Sequence, residues 1–344
     1  MDEDLVGIHE IAEIAGVTRA AVANWRVRFP DFPAPVVALR SGPVFRRSDV
    51  RRWLRKRRKQ MAIVISTINL KGGVGKSTTT VALAELLSGE FGKRVLVIDL
   101  DPQTNATVML IGEERWKQQN DKRATLAQLF KDALLEDSDK GEFVLEEALV
   151  QRVSNVEAVR TVDLLPSSID LIDVQDRLAA MPSGRYYANT PTEVLRRATK
   201  PIIDKYDYVL IDCPPNLGII TLNGLRISSS YIIPTIPDVL STYGIPQIVS
   251  RVAGFARTIS ESIEPLGIVI SKFRAQSTVH HNVLDRLRAD DDPHVFDTIV
   301  PENNQIAASA EFLPVSTLRQ KYGYQGQFAA YNSLAGEIMA AVEA

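Results

Sequence analysis

Residues 61–92, "MAIVISTINLKGGVGKSTTTVALAELLSGEFG", constrain this chain more than any other stretch. The run up to Leu70 is apolar and β-branched without polar alternation, the pattern of a strand buried on both faces in a parallel sheet. "STTTVALAELLSGEFG" then carries the pattern of an amphipathic helix. Between them lies the glycine-rich "KGGVGKST". Strand, glycine-rich turn and helix start, in that order, form the context of a phosphate-binding loop. The backbone N–H groups of Gly72, Gly73, Val74, Gly75, Lys76, Ser77 and Thr78 are expected to cradle phosphate oxygens, helped by the helix dipole. Lys76 is expected to reach the β- and γ-phosphates, and the Ser77 hydroxyl to ligate Mg²⁺. The loop also departs from the usual G-x-x-x-x-G-K-[ST] pattern. Leu70 stands where the first glycine belongs, and Lys71 places a second cation at the mouth.

Two later stretches repeat the same logic. "KRVLVIDLDPQTNAT" ends a strand in Asp99 and Asp101, and "YDYVLIDCPPNLG" ends one in Asp212. Carboxylates at the finish of parallel strands fall at the sheet edge where doubly wound folds bind ligands. Asp212 is expected to act on Mg²⁺ directly or through water. The predicted fold is therefore α/β: three layers, a mostly parallel twisted sheet with helices on both faces. Cys213 reads as a small buried packing residue. Segment 112–160 reads as charged and helical, with "ATLAQLF" and "EFVLEEALV" as amphipathic pieces. The adjacent His280 and His281 diverge on a helix too far to share one metal, and read as surface residues.

Composition narrows the classes. Among 344 residues, 45% are hydrophobic and 24% charged, enough for a large core. The single cysteine excludes a disulfide framework within the chain and any multi-cysteine zinc or iron–sulfur site. No apolar run reaches 18 residues, so no membrane span is expected, and the acidic "MDEDLVGIHE" does not read as a signal peptide. A cytoplasmic protein is expected. Residues 1–60 hold 13 Lys/Arg against 7 Asp/Glu, while the remainder holds 27 against 35. A small basic module joined to a larger acidic one points to nucleic acid as the first module's partner.

The expected domain boundary lies near Gln60, giving a module of residues 1–60 and a larger domain of residues 61–344. In the first, "IHEIAEIAGVTRAAVANWRVRFPDFPAPV" reads as two short helices: Ile8, Ile11, Ala12 and Ala15 face inward, Gly16 turns the chain and Thr18 caps the second helix, which buries Val22 and Trp25. Prolines 30, 33 and 35 stop it. "PVVALRSGPVFRRSDV" reads as a β-hairpin with Ser41-Gly42 at its tip. Ser48 then caps a last helix that turns Val50, Trp53 and Leu54 inward. This pattern resembles small winged helix-turn-helix domains of the excisionase and mercury-resistance-regulator type. A helical protein-interaction module is the alternative, and charge favours DNA. Arg19, Asn24, Arg26 and Arg28 lie on or just after the expected recognition helix and are suited to base edges. Seven of the nine residues from Arg51 to Lys59 are basic, and Arg51, Arg52 and Arg55 are expected to contact phosphates.

The larger domain resembles a known family. "KGGVGKST", "IDLDPQTNAT", "LIDCPPNLGIITLNGL" and "PTIPDVLSTYGIPQIV", with "LLPSSIDL" and "IVPENNQIAASAEFLPV", are similar to the ParA branch of the deviant Walker-A ATPases in the ParA/MinD superfamily. The nitrogenase iron protein of that superfamily needs cluster cysteines that this chain lacks. MinD-like members end in a basic membrane helix, whereas "NSLAGEIMAAVEA" is acidic. The resemblance implies an ATPase that forms a homodimer around two ATP molecules, with Mg²⁺, and releases ADP. It makes Lys71 the signature lysine that reaches the partner's nucleotide, Asp101 the residue that positions water, and Asp212, Pro214, Pro215 and Asn216 the switch. Pro301 and Asn303 would contact the base. It further implies DNA held in the ATP state, a ParB-like centromere-binding partner, and a nucleoid location. An ATP-modulated repressor of its own operon, or a positioning ATPase for a protein cargo, are the other functions the family offers. One departure stands out: the family's arginines after the late proline are replaced by Glu302 and Gln305. Lys272, Arg274, Arg319, Lys321 or the basic run at 51–59 are the candidate replacements for a DNA grip.

Overall fold

The computed structural model describes residues 5–15, 19–28, 31–39, 42–58, 61–135, 141–180, 190–290 and 292–343. Gly16, Thr18, Pro30 and Ser41 lie outside the described residues, as do the side chains of Asn24, Arg28 and Arg55. The chain divides into two compact units: residues 1–62 with 254–262, and residues 63–253 with 263–344.

In the first unit, strand β1 (Leu5–Val6) precedes helices Ile8–Ala15 and Arg19–Arg28. A hairpin of β2 (Val37–Leu39) and β3 (Gly42–Arg46) then leads into helix Arg47–Arg58. The three strands pair antiparallel in the order β1-β3-β2. β1 has no sequence signal, because two residues are too short to show a period. Val6, Ile11, Ala12, Val22, Phe45 and Val50 form the core, with Ile8, Trp25, Phe32 and Leu54 packed on it. Trp53 is buried and stacks near Trp25 and Phe32, at ring separations of 5.6 and 4.8 Å. Aromatic burial stabilises this unit where its small size limits aliphatic packing. The last helix begins at Arg47, so Ser48 lies inside its first turn rather than at the cap.

Among the described residues, the second unit is built on seven strands: β4 (Ile63–Thr67), β5 (Val95–Asp99), β6 (Val162–Leu165), β7 (Tyr208–Asp212), β8 (Ser230–Thr235), β9 (Glu264–Phe273) and β10 (Val295–Pro301). Their order is β10-β9-β8-β4-β7-β5-β6, and each neighbouring pair is parallel. From β4 the chain steps one way to β5 and β6, then returns through β7 to β8, β9 and β10. Right-handed crossovers in opposite directions place helices on opposite faces, which gives the three layers. Helix Lys76–Gly89 is buried along most of its length and packs against helices Asn105–Asp121 and Gln327–Glu343. Helix Leu126–Asp132 starts in the first amphipathic piece of segment 112–160 and runs two residues past it, helix Leu145–Ala148 lies inside the second, and residues 149–160 are not helical, contrary to expectation.

Helix Lys76–Gly89 also carries a buried charge. The Glu85 carboxylate accepts from Lys321 Nζ at 2.8 Å, Tyr322 Oη at 2.6 Å and Ser154 Oγ at 2.6 Å. Lys321 is only 3% exposed and donates also to Asn155 Oδ1 at 2.7 Å. Lys321, one of the candidate replacements for a DNA grip, is therefore not exposed for it: its ammonium neutralises a core carboxylate.

Candidate nucleotide site at the strand ends

Register brings the functional positions together. β7 lies between β4 and β5, pairing Thr67 with Asp212 on one side and Asp99 with Asp212 on the other. The glycine-rich loop leaves the end of β4 above this row. Its Gly73 and Gly75 have φ of 75° and 85°, left-handed conformations that cost glycine little and other residues more. Gly75 caps helix Lys76–Gly89 without any side-chain cap bond, so the first-turn N–H groups remain available to an anion. Asn69 fastens the start of the loop. Its Nδ2 donates to the Pro234 carbonyl at 2.8 Å, and its Oδ1 accepts from the Lys71 N–H at 2.9 Å.

The two lysines are placed differently. Lys76 is buried, and its Nζ donates to the Lys71 carbonyl at 3.3 Å, closing the loop from inside. Burial pulls its ammonium below the usual lysine range, while the charges of Asp212 and Asp101 hold it up. Lys71 stands at the rim with its side chain 40% exposed, and its Nζ pairs with Asp238 at 3.2 Å. Ser77 and Thr78 open the helix half-buried.

The three carboxylates are buried. Asp99 accepts from the Thr107 N–H and Oγ1 at 2.8 and 2.6 Å and from the Asp101 N–H at 3.0 Å. Burial still pushes it up to about 7. Asp101 accepts from the Gln103 N–H at 2.9 Å and is also raised by burial. Asp212 is fully buried, and neither of its oxygens has a hydrogen-bond partner among the described residues. Burial, then the charge of Asp99, drives it well above the carboxylate range, with Ser77 opposing from nearby. A buried carboxylate without donors is costly unless a cation completes it. Among the described residues no cluster of three or more His, Cys, Asp or Glu forms a closed metal cage. An open site with one carboxylate and a hydroxyl suits Mg²⁺, which takes its remaining ligands from water and phosphate.

The outer strands β9 and β10 run parallel to the rest of the sheet. Pro301 ends β10 beside Phe273 of β9. Asn303 caps helix Asn304–Ala308, its Oδ1 accepting from the Gln305 N–H at 2.7 Å. Glu302 forms a two-pronged ion pair with Arg274. Gln305 Nε2 donates to the Lys321 carbonyl at 3.0 Å. Both departures from the family pattern thus serve local structure, and Arg274 is already neutralised. Arg319 lies 4.5 Å over the Phe328 ring, and Lys272 donates to the Gly73 carbonyl at 2.7 Å. His280 is buried, not a surface residue as expected: its Nδ1 accepts from the Arg274 N–H at 3.1 Å. Cys213 is fully buried, which raises its thiol. Asp238, Ser271 and Lys272 were not read from the sequence as parts of this site. Asp238 lay in a motif with no role attached to it, and the other two in a stretch without a motif.

In the first unit, Arg19 and Arg26 are exposed on helix Arg19–Arg28, and Arg51 and Arg52 are exposed on helix Arg47–Arg58. Arg19 Nε donates to His9 Nδ1 at 3.0 Å, and Arg52 pairs with Asp49 at 3.4 Å.

The chain is similar to several known proteins. The sporulation initiation inhibitor protein Soj of Bacillus subtilis is 30% identical over 247 residues, 72% of this chain and 87% of its own. The chromosome partitioning protein ParA of Myxococcus xanthus is 29% identical over 72% of this chain and 78% of its own. Among solved structures, a cobyrinic acid a,c-diamide synthase from Mycobacterium smegmatis with ADP and magnesium superposes with a TM-score of 0.62 and 25% identity, covering 83% of this chain and 96% of that one. A plasmid partition protein from Borrelia burgdorferi bound to AMPPNP has the same fold, with a TM-score of 0.54 at 19% identity over 81% of this chain and 98% of that one. A family model described as an AAA domain matches residues 62–265. That match spans more than half of the chain and contains the glycine-rich loop and both carboxylate-bearing strand ends, so the chain belongs to the AAA-domain family of ParA/MinD-type P-loop ATPases.

Proposed function

We propose that this protein is a partition ATPase that binds ATP with Mg²⁺, dimerises around it, holds DNA in that state and lets go after hydrolysis. The observation that carries this reading is the unequal placement of its two loop lysines. Lys76 is buried inside its own loop, while Lys71 is half-exposed at the rim, where a second subunit's nucleotide can meet it.

Each residue then has a role. Loop N–H groups from Gly72 to Thr78 bind phosphate oxygens, and Lys76 neutralises the β- and γ-phosphates. Ser77 and Asp212 would hold Mg²⁺, which when bound supplies charge neutralisation to the transferring phosphoryl group. Asp101 orients the attacking water. Lys71 leaves Asp238 for the partner's phosphates, an exchange that costs little because the pair is partly solvated. Pro301 and Asn303 border the base. The solved relatives that hold ADP or an ATP analogue with magnesium support this ligand set. Residues 1–60 serve as a winged helix-turn-helix module, with Thr18, Arg19, Asn24, Arg26 and Arg28 reading DNA and Arg51, Arg52 and Arg55 gripping phosphates. A ParB-like centromere-binding protein is the expected stimulating partner, at the nucleoid.

Exposure of Arg19 and Arg26 on one helix favours a second role, repression of the protein's own operon. The test compares Lys76→Ala with Lys71→Ala. Lys76→Ala is expected to abolish Mg·ATP binding by calorimetry. Lys71→Ala is expected to keep binding within about threefold of the parent, yet lose ATP-dependent dimerisation in sedimentation. Tight ATP binding by Lys76→Ala, or normal dimerisation by Lys71→Ala, overturns the reading.

A further inference from the structure

A peptide unit is planar and trans, so its C=O and N–H point to opposite sides. Whatever fixes one residue's carbonyl therefore aims the next residue's N–H. Two successive carbonyls of the glycine-rich loop are fixed from the end of β9. Lys272 Nζ donates to the Gly73 carbonyl at 2.7 Å, and Ser271 Oγ donates to the Val74 carbonyl at 2.7 Å. The amides set by these contacts are the N–H groups of Val74 and Gly75. Among the described residues no other hydrogen bond holds the Gly73 carbonyl.

The backbone is arranged to deliver this contact. Lys272 has φ +49°, a left-handed conformation uncommon outside glycine. Ser271 beside it is buried, and a Cβ added to Gly75 would lie 3.8 Å from the Ser271 Cβ, so β9 and the loop are in close approach. An ammonium on a carbonyl oxygen also polarises that peptide, which makes its N–H a stronger donor.

We infer that Lys272 is a positioning residue for nucleotide binding: it holds the Gly73 carbonyl outward so that the Val74 N–H faces the nucleotide's phosphates. Ser271 does the same for the Gly75 N–H. The inference rests on the nucleotide reading above and goes beyond it, because it assigns a third lysine that acts through the loop rather than on phosphate. Loop N–H groups serve the α- and β-phosphates, which ATP and ADP share. Loss of Lys272 must then weaken both nucleotides alike. A lysine acting as a point charge on the γ-phosphate would favour ATP alone.

The experiment measures Mg·ATP and Mg·ADP affinity of the full chain by calorimetry for wild type, Lys272→Met, Lys272→Arg, Lys272→Gly and Ser271→Ala, with Lys76→Ala as control. Lys272→Met is expected to bind both nucleotides about threefold to tenfold more weakly, with an unchanged melting temperature. Lys272→Arg, which keeps a cationic donor, recovers most of the affinity. Lys272→Gly relieves the backbone conformation without restoring the donor and stays weak, and Ser271→Ala is weakened in the same direction. Wild-type affinity in Lys272→Met, full recovery in Lys272→Gly, or a loss confined to ATP overturns the inference. If wild type binds neither nucleotide, the nucleotide reading itself falls and takes this inference with it. If wild type binds, Lys76→Ala does not and Lys272→Met is unaffected, only the inference fails.

Discussion

At the residue scale, what distinguishes the charged groups of this protein is which of them water can reach. Glu85 and Lys321 are both buried, and each depends on the other for neutralisation. Removing one partner leaves an uncompensated charge in the core. Lys321→Met is expected to cost about 3–5 kcal/mol in urea unfolding. The double variant with Glu85→Gln should recover part of that loss, since both charges are then gone. Lys71 and Asp238 are partly solvated, so Asp238→Ala should change stability by less than about 1 kcal/mol. Asp101 is raised by burial and holds the Gln103 N–H. Asp101→Ala should slow phosphate release at least about a hundredfold while the ATP-bound dimer persists in sedimentation. Normal turnover in that variant would remove Asp101 from its role.

At the element scale, the ends of β5 and β7 form one titrating unit. Asp99 at the end of β5 is pushed up to about 7, and Asp212 at the end of β7 is also raised well above the usual carboxylate range, in both cases chiefly by burial. An aspartate in the unfolded chain has a pKa near about 4. Between these values the folded state binds more protons than the unfolded one, so stability falls as pH rises. For Asp99 the decline begins above about pH 4 and levels off above about pH 7. Asp99→Asn should remove that component, making its melting temperature less dependent on pH than wild type between pH 5 and 8. Mg·ATP should flatten the wild-type slope, because a cation beside Asp212 favours ionised carboxylates. Scanning fluorimetry across pH, with and without Mg·ATP, checks both; equal slopes for wild type and Asp99→Asn would remove Asp99 from this account.

At the scale of the whole molecule, the two units divide charge and chemistry between them. Residues 1–60 carry the basic excess and residues 61–344 the acidic one. If the first unit reads DNA, Arg19→Ala with Arg26→Ala in the full chain should abolish preference for a specific site while Mg·ATP affinity stays unchanged. Arg51→Ala with Arg52→Ala should weaken binding to all sequences and lower the salt slope by about 2. Filter binding across a salt series on specific and random DNA distinguishes the two pairs. Specificity that survives the first pair would move DNA reading away from helix Arg19–Arg28.

Sequence by itself determined the parallel α/β architecture and the row of Lys76, Ser77, Asp101 and Asp212. It did so because a doubly buried strand needs an apolar run, a phosphate loop needs glycine at Gly73 and Gly75, and a strand-end carboxylate follows its strand directly. These are local constraints, written in consecutive residues. Only the tertiary structure decided that the Asp212 oxygens have no hydrogen-bond partner among the described residues, that Lys71 rests on Asp238, that Lys321 is a core ion and that Lys272 meets the loop. The partners of Lys272 and Lys321 lie 199 and 236 residues away in the chain. A lone lysine carries the same charge whether it faces water, a carbonyl or a buried carboxylate, and only the packing of distant strands and helices selects among them.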